Sequence, residues 1–104
     1  MMNIDFKEIV NESRIKILVV LYSKNKQMFI DEIAKETGIH PRMVSHHIMA
    51  LEKIGFVECK YEMVDRGMKK MAVKLCRVTP KFEKTLSDLC EWLASLLHSK
   101  FVTS

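Results

Sequence analysis

The sequence is organised around residues 37–55, TGIHPRMVSHHIMALEKIG, in which one helix ends, the chain turns and another helix begins. Gly38 stands where a left-handed residue usually ends a helix. Pro41 is a helix start signal, because the N–H that proline lacks would find no partner in the first turn anyway. Gly55 then stops the new helix. The stretch therefore predicts two short helices joined by a tight turn.

The helix predicted over residues 41–54 has one apolar side and one polar side. Val44, Ile48 and Leu51 share the apolar side, and Ile54 closes it. A helix fits the major groove of B-form DNA, where outward side chains in its N-terminal half reach base edges. We therefore predict that double-stranded DNA is contacted by the other side of this recognition helix, which carries Arg42, Ser45, His46, Met49 and Lys53.

Other elements surround this pair of helices. Apolar residues recur at helical spacing over residues 13–23, residues 27–29 predict a very short strand, and residues 31–37 predict the helix that ends at Gly38. Two alternating stretches follow Gly55, and a long helical stretch ends the chain. The predicted order is helix, helix, helix, hairpin, helix.

The two alternating stretches predict a β-hairpin with a basic tip. Every second residue is apolar over residues 57–63 and again over residues 71–75. Pairing Tyr61 with Val73 sets the two apolar faces side by side and leaves a loop over residues 65–69. We predict that the tip, residues 64–70, is a wing that contacts the DNA backbone or minor groove through Arg66, Lys69 and Lys70.

The three cysteines do not predict a disulfide framework. Cys59 and Cys76 fall on opposite strands of the hairpin, but in the predicted register they point to opposite faces. Side chains on opposite faces cannot meet disulfide geometry, so we expect these two thiols to stay apart. The odd number and wide spacing of the cysteines favour a reducing, cytoplasmic location. Cys90 lies on the last helix, and its role stays open.

A long final helix is predicted from Pro80, with Thr79 as its cap. Its apolar stripe runs for about five turns, which is longer than so small a core needs. Its polar side carries acids as well as lysines, so the helix is not expected to bind an anionic membrane surface. The single domain, 1–104, would then comprise a DNA-binding core, 1–79, and a dimerisation helix, 80–104. We predict a homodimer with the interface residues Phe82, Leu86, Leu89, Leu93 and Leu97.

Positive charge is concentrated in one part of the chain. The formal net charge is +4. Residues 40–77 carry eight lysines and arginines against four acids, so this segment supplies the whole excess while the remaining residues balance. Charge confined to one third of a chain indicates a surface that faces a polyanion.

Several fragments, taken in order, resemble a known family. They are VSHHI at 44–48, LE at 51–52 and GFV at 55–57, preceded by SRI at 13–15 and TGI at 37–39, and followed by VTP at 78–80. Together they are similar to ArsR-like winged helix-turn-helix regulators, and the MarR-like family shares much of the pattern. The resemblance covers residues 10–80. It implies a mainly α fold with a small β-hairpin wing, and dimeric binding to an operator with two half-sites, often to repress.

The sensor sites of metal-binding members of that family do not carry over. Those members have a cysteine pair in the second helix or an Asp/His/His/Glu set on the last helix. Residues 31–37 contain no cysteine, and the last helix offers only Asp88, Glu91 and His98. His46 and His47 point about 100° apart on a helix, so their rings cannot easily coordinate one metal ion together. We predict no metal and no cofactor.

Two alternatives stay open beside a DNA-binding regulator. One is a winged-helix protein-interaction module within a transcription or replication assembly, for which an apolar patch would be expected on the recognition helix. The other is a thiol- or metal-responsive DNA-binding sensor, whose effector the sequence does not identify. No nucleophile–base pair or phosphate-binding loop is visible, so the sequence does not predict an enzyme.

Overall fold

The computed structural model describes residues 11–101, with side chains described as far as His98. The two ends of the predicted domain, residues 1–10 and 102–104, lie outside the described residues. Four helices and three strands follow one another in the described part. They are α1 (Glu12–Lys24), β1 (Met28–Phe29), α2 (Ile30–Thr37), α3 (Pro41–Lys53), β2 (Val57–Arg66), β3 (Lys69–Val78) and α4 (Pro80–Phe101).

The turn between α2 and α3 has the predicted chemistry. Gly38 ends α2 in the left-handed region, at φ 75°, which a glycine adopts without strain. Pro41 is the first residue of α3, and His40 caps the helix. The His40 ring accepts a hydrogen bond at Nδ1 from the backbone N–H of Arg42 at 3.1 Å. A ring nitrogen thus takes the place of the small polar cap that is usual before such a helix.

The core lies where the first three helices meet the sheet. Its centre consists of aliphatic side chains with no more than 1% exposure: Ile17, Leu21, Ile33, Val44, Ile48 and Leu51. The apolar side of α3 predicted from the sequence is therefore buried, with Ile54 half-buried at its end. Phe56 and Phe82 close the core below α3, with their ring centroids 5.5 Å apart.

The register of the hairpin differs from the prediction by one residue. Tyr61 lies opposite Lys74 rather than Val73, and Arg66 lies opposite Lys69. The strands are joined by a two-residue turn, 67–68, instead of the five-residue loop predicted over 65–69. Gly67 has a positive φ of 69°, as tight hairpin turns require. The turn sets the register, and the shift by one residue exchanges the faces of one strand relative to the other.

The outer half of the hairpin leaves the core, which the sequence pattern did not indicate. Val57 is buried and Cys59 is half-buried, but Tyr61 and Met63, on the same face of β2, are 71% and 63% exposed. The apolar alternation over residues 57–63 therefore covers two environments, namely a base that packs on the core and a projecting arm.

The base of the hairpin is held on both sides. β1 adds a third strand in the order β1-β3-β2, with Met28 opposite Cys76. The Thr79 hydroxyl donates to the Gly55 carbonyl oxygen at 2.6 Å and accepts from the Phe82 backbone N–H at 3.2 Å. One side chain therefore connects the exit of α3 to the first turn of α4.

A buried histidine fixes α3 to α1. His47 is 5% exposed, and its Nδ1 accepts a hydrogen bond from Arg14 Nε at 3.1 Å. Burial, and then the positive charge of Arg14 and the neighbouring His46, lower the pKa of His47. His47 is therefore neutral in the folded protein under conditions where it is partly protonated in the unfolded chain.

This difference makes the stability depend on pH. Because the folded pKa is lowered, the unfolded chain takes up the proton first as pH falls through about 6.5. The contribution of His47 is fully present above that pH and is lost as pH falls toward the lowered pKa of the folded state. We expect urea denaturation at pH 5 to 8 to show this loss in the wild-type protein. The His47→Gln variant, which keeps an acceptor but does not titrate, should lack this part of the pH dependence.

His98→Gln is the matched control, because His98 is exposed on α4. It should retain the wild-type pH dependence. Equal pH dependence in the His47→Gln variant and the wild-type protein would contradict this role of His47.

Candidate nucleic-acid interface

Helix α3 presents one complete side to solvent. Its inner side is buried at Val44, His47, Ile48 and Leu51. The side chains predicted to contact DNA lie on the opposite side: Arg42, His46, Met49 and Lys53 are exposed, and Ser45 is half-buried. The structure therefore brings together all five predicted recognition residues on one helix surface.

Contacts within the protein help to fix the positions of two of these residues, Arg42 and His46. The backbone of Arg42 is fixed by the hydrogen bond from its N–H to the His40 ring. The His46 ring packs edge-on against the His47 ring, with centroids 5.5 Å apart and planes at 65°. Because Arg14 donates a hydrogen bond to His47, the ring against which His46 packs is itself held in place. Arginine can donate two hydrogen bonds to guanine, and a histidine ring can donate or accept one.

The last turn of α3 is tied to the hairpin by an ion pair that the sequence pattern did not indicate. Lys74 Nζ donates to Glu52 Oε1. Burial disfavours the charged lysine, but the hydrogen bond and the charge of Glu52 outweigh it and raise the pKa of Lys74. Lys74 therefore stays protonated and paired with Glu52. Lys53, which follows Glu52 on α3, faces solvent.

The wing tip lies against the start of α2. Arg66, Lys69 and Lys70 are all exposed, as the sequence predicts for phosphate contacts. Arg66 Nη2, however, lies 3.3 Å from Asp31 Oδ2 in the first turn of α2. These two residues are far apart in the sequence, and no local pattern could have paired them. This ion pair therefore links the wing tip to α2, the first of the two helices joined by the turn at Gly38.

The positive charge of residues 40–77 is only partly neutralised within the structure. Lys74, Arg77 and Arg66 pair with Glu52, Glu58 and Asp31 respectively. Within residues 11–98, no ion pair engages the other basic residues of this segment, namely Arg42, Lys53, Lys60, Lys69 and Lys70. The charge left for a polyanion is thus found on the outer side of α3 and on the hairpin.

The described part of the chain does not point to a metal site or a membrane span. Its side chains include no group of three or more histidines, cysteines or acids placed to hold a metal ion. None of the described helices is long and apolar enough to cross a membrane.

Comparisons with known proteins agree with this geometry. Residues 11–58 match the family model described as bacterial regulatory protein, arsR family. The structure is similar to a transcriptional regulator homologue from Pyrococcus horikoshii, at 18% identity and a TM-score of 0.70, covering 89% of this chain and 87% of that one. A sequence comparison with curated proteins found no match.

Two further solved structures share the fold. One is the homodimeric winged helix-turn-helix DNA-binding domain of a possible ArsR-family regulator from Mycobacterium bovis, with 20% identity, a TM-score of 0.64, and coverage of 92% of this chain and 81% of that one. The other is the transcriptional repressor BigR from Xylella fastidiosa, with 18% identity, a TM-score of 0.56, and coverage of 93% and 79%.

The chain is a winged helix-turn-helix protein, mainly α, with a small hairpin wing and a long C-terminal helix. The resemblance to ArsR-like regulators that the sequence predicts is confirmed by the family match over residues 11–58. At identities near 20%, these similarities show that the chain shares the fold of the solved structures. They do not show that it shares their ligands or target sites.

Removing the acid that pairs with the wing should strengthen binding to DNA. Asp31→Asn frees the Arg66 guanidinium for phosphates and removes a negative charge beside them. We expect the affinity for a mixed-sequence duplex to rise about two- to fivefold at low salt, and less at high salt. Fluorescence anisotropy at several salt concentrations measures this.

Glu36→Gln is the matched control, because Glu36 lies on the same helix but pairs with Lys24, at 3.7 Å. It should change affinity less than Asp31→Asn does. An equal rise in both variants would show a general charge effect and contradict a specific role for the contact between Asp31 and Arg66.

Proposed function

We propose that this protein is a sequence-specific, double-stranded DNA-binding transcriptional regulator that acts as a homodimer. In this proposal α3 enters the major groove, and the basic wing, residues 64–70, lies on the backbone or in the minor groove. The observation that carries the proposal is the burial of one whole side of α3, which turns Arg42, His46, Met49 and Lys53 outward together.

The two parts of the surface suit two different tasks. Side chains on the first turns of a recognition helix meet base edges, so Arg42 and His46 are assigned to base recognition. Lysines at a hairpin tip meet phosphates, which position the protein without specifying sequence. Arg66 is assigned to either the backbone or a narrow minor groove, where arginine is attracted by the negative potential.

A protein-interaction module is the less favoured function. Such a module would present an apolar patch on α3, and the exposed apolar residues there, Met43 and Met49, stand among basic or polar neighbours. Arg42 and Lys53, which have no counter-ion within residues 11–98, suit a polyanion better than a protein surface. The family match to a regulatory protein supports the same choice over an enzyme.

Repression is the proposed mode of action. A dimer that occupies two half-sites can exclude other proteins from the same DNA. The resemblance to ArsR-like regulators supports this mode, and the similar structure from Xylella fastidiosa is a repressor.

The proposed dimer interface is the exposed part of the stripe on α4. Phe82, at the start of the predicted interface, is instead a core residue at 8% exposure. Leu86 and Leu89 are half-buried, and Leu93 and Leu97 are 45% and 57% exposed. The stripe therefore passes from the core to solvent within one helix, which periodicity alone does not reveal.

A second apolar surface adjoins this stripe. Three apolar side chains that share one face of α1 are about half exposed: Ile15, Val19 and Tyr22. The Tyr22 ring lies edge-on to the Phe82 ring, with centroids 6.1 Å apart, so the apolar side of α1 meets the start of α4. Large exposed apolar surfaces of this kind mark interfaces. A second copy is the proposed occupant, and the homodimeric domain from Mycobacterium bovis supports it.

Replacing Leu93 and Leu97 with glutamate should produce monomers, because two charges would then be buried in an apolar interface. Sedimentation velocity at micromolar concentration measures this. Ser95→Glu is the control, since Ser95 lies on the opposite side of α4 and should leave the dimer intact. A monomeric wild-type protein at that concentration would contradict the proposed dimer.

Base recognition and phosphate contact should separate in two variants. Arg42→Ala should cost about 1–3 kcal/mol on the preferred site and relax the preference at one base position. Lys70→Ala should weaken binding to all sequences alike and reduce the slope of log K against log salt by about one unit per contact. Binding profiles over a randomised site, measured for both variants, test the assignment.

The opposite pattern would contradict the docking of α3. If Arg42→Ala left the base preferences unchanged while Lys70→Ala altered them, α3 would not lie in the major groove. A flat salt response of the wild-type protein would contradict DNA binding through phosphate contacts altogether.

A further inference from the structure

The hairpin contains a pair of thiols that the predicted register kept apart. In the observed register Cys59 lies directly opposite Cys76, on the same face of the sheet. Their Sγ atoms are 2.6 Å apart. The expectation that these thiols point to opposite faces is therefore wrong, and the cause is the one-residue error in the predicted register. Cys59 is half-buried on the edge strand β2, and Cys76 is fully buried on the central strand β3.

The backbone at this pair is compatible with a disulfide. Directly opposed residues of an antiparallel ladder have Cα atoms about 4.5–5.5 Å apart, and disulfides span Cα separations of about 4.4–6.8 Å. β3 is also held from its other side here, because Cys76 pairs with Met28 of β1. Joining the two sulfur atoms therefore requires only a small local adjustment of the two strands.

We propose that Cys59 and Cys76 form a reversible oxidation site, and that their disulfide resets the wing relative to α3 and so weakens DNA binding. The regulatory part rests on the proposed function, since it is measured as a change in binding to DNA. The oxidant is a peroxide, which is small enough to reach a half-buried thiol.

The reaction balances with hydrogen peroxide. The Cys59 thiolate attacks one peroxide oxygen, the O–O bond breaks, and the departing hydroxide takes up the thiol proton to become water. The product at Cys59 is a sulfenic acid. Cys76 Sγ then attacks Cys59 Sγ, the S–O bond breaks, and a second water leaves with the proton of Cys76. Two thiols are oxidised, one peroxide is reduced, and a dithiol reductant reverses the change.

The environment of the pair sets its rate of oxidation. The hydrogen bond with Cys76, together with burial, raises the pKa of Cys59 well above its usual range. The thiolate is the reactive form, so this pair reacts slowly with peroxide compared with an exposed, acidic thiol. Such a site responds to sustained rather than brief oxidation. Cys90 is exposed on α4, away from this pair, and must be removed for a clear measurement.

The position of the pair at the base of the hairpin gives a small adjustment there a large effect at the wing tip. The next pair on the same face is Tyr61 and Lys74, and Lys74 is bonded to Glu52 at the end of α3. Arg66 lies seven positions beyond Cys59 along β2, which is about 23 Å of strand. A change of roughly 10° in the direction of the strand at the base would displace the tip by about 4 Å, which exceeds the reach of a hydrogen bond.

The test uses the full chain carrying Cys90→Ser. Peroxide treatment should lower the intact mass by two hydrogen atoms and remove both free thiols. Affinity for a mixed-sequence duplex should fall about three- to tenfold, with a salt slope reduced by about one unit for each phosphate that the wing no longer neutralises. Dithiothreitol should restore the mass, the thiols and the affinity. A mixed-sequence duplex suffices because binding of phosphates by the wing does not depend on sequence.

The matched control is Cys59→Ser in the same background, because Cys59 is only half-buried and serine preserves its size. A second variant, Cys76→Ala, removes the other thiol. Alanine is used because it places no polar group at this fully buried position. Neither variant should lose two hydrogen atoms, and the DNA affinity of neither should respond to peroxide.

Three results would overturn the proposal in distinguishable ways. Two free thiols after prolonged peroxide treatment would show that no disulfide forms. A disulfide with unchanged DNA affinity would leave an oxidation site without the proposed effect on the wing. A reduced protein that fails to bind duplex DNA would contradict the proposed function, and the regulatory part with it, while the mass measurement would still decide whether the disulfide forms.

Discussion

Helix α3 can sit against the body of the protein in only one rotational setting, because Val44, His47, Ile48 and Leu51 are all buried along one side. Burying each aliphatic side chain of this kind contributes about 1.5–3 kcal/mol, so rotating the helix by one residue, about 100°, would expose several of them at once. The neutral ring of His47, bonded to Arg14, adds a polar contact that fits the same setting. The outward side of α3 is therefore a consequence of the core.

The surfaces proposed to contact DNA keep a fixed relation to one another through a few polar contacts. His40 caps the start of α3, and Glu52 at its end is bonded to Lys74 on the hairpin. Thr79 joins the exit of α3 to α4, from which the proposed dimer interface extends. A change at the hairpin base would therefore also change the position of the wing tip relative to α3, which is why the thiol pair between β2 and β3 bears on the proposed function.

The helices and the outward side of α3 could be predicted because their signals are local. A period of 3.6 residues, Gly38 and Pro41 were enough to place α3 within a residue and to divide its two sides. The hairpin register could not be predicted in the same way. Alternation of apolar residues favours the register that sets the two apolar faces side by side, but Tyr61, Met63 and Met71 are exposed, so burial does not impose that register on the outer hairpin. Gly67-Met68 is also a weaker turn signal than Asn-Gly or Asp-Gly. The error hid the contact between Cys59 and Cys76.

Long-range features were out of reach for a different reason. The ion pair between Arg66 and Asp31 joins residues that are far apart in the sequence, and only the folded structure brings them together. The stripe on α4 showed which side is apolar but not where the helix leaves the core, so Phe82 was grouped with Leu93 and Leu97. Both cases depend on packing between distant segments rather than on pattern.

The selection of bound duplexes from a random pool tests most directly whether α3 in a homodimer recognises DNA sequence. We expect enrichment of an inverted repeat whose two half-sites are centred about one helical turn apart, near 10–10.5 base pairs, or a multiple of it. Enrichment of no sequence, or of a single site without an inverted partner, would contradict it.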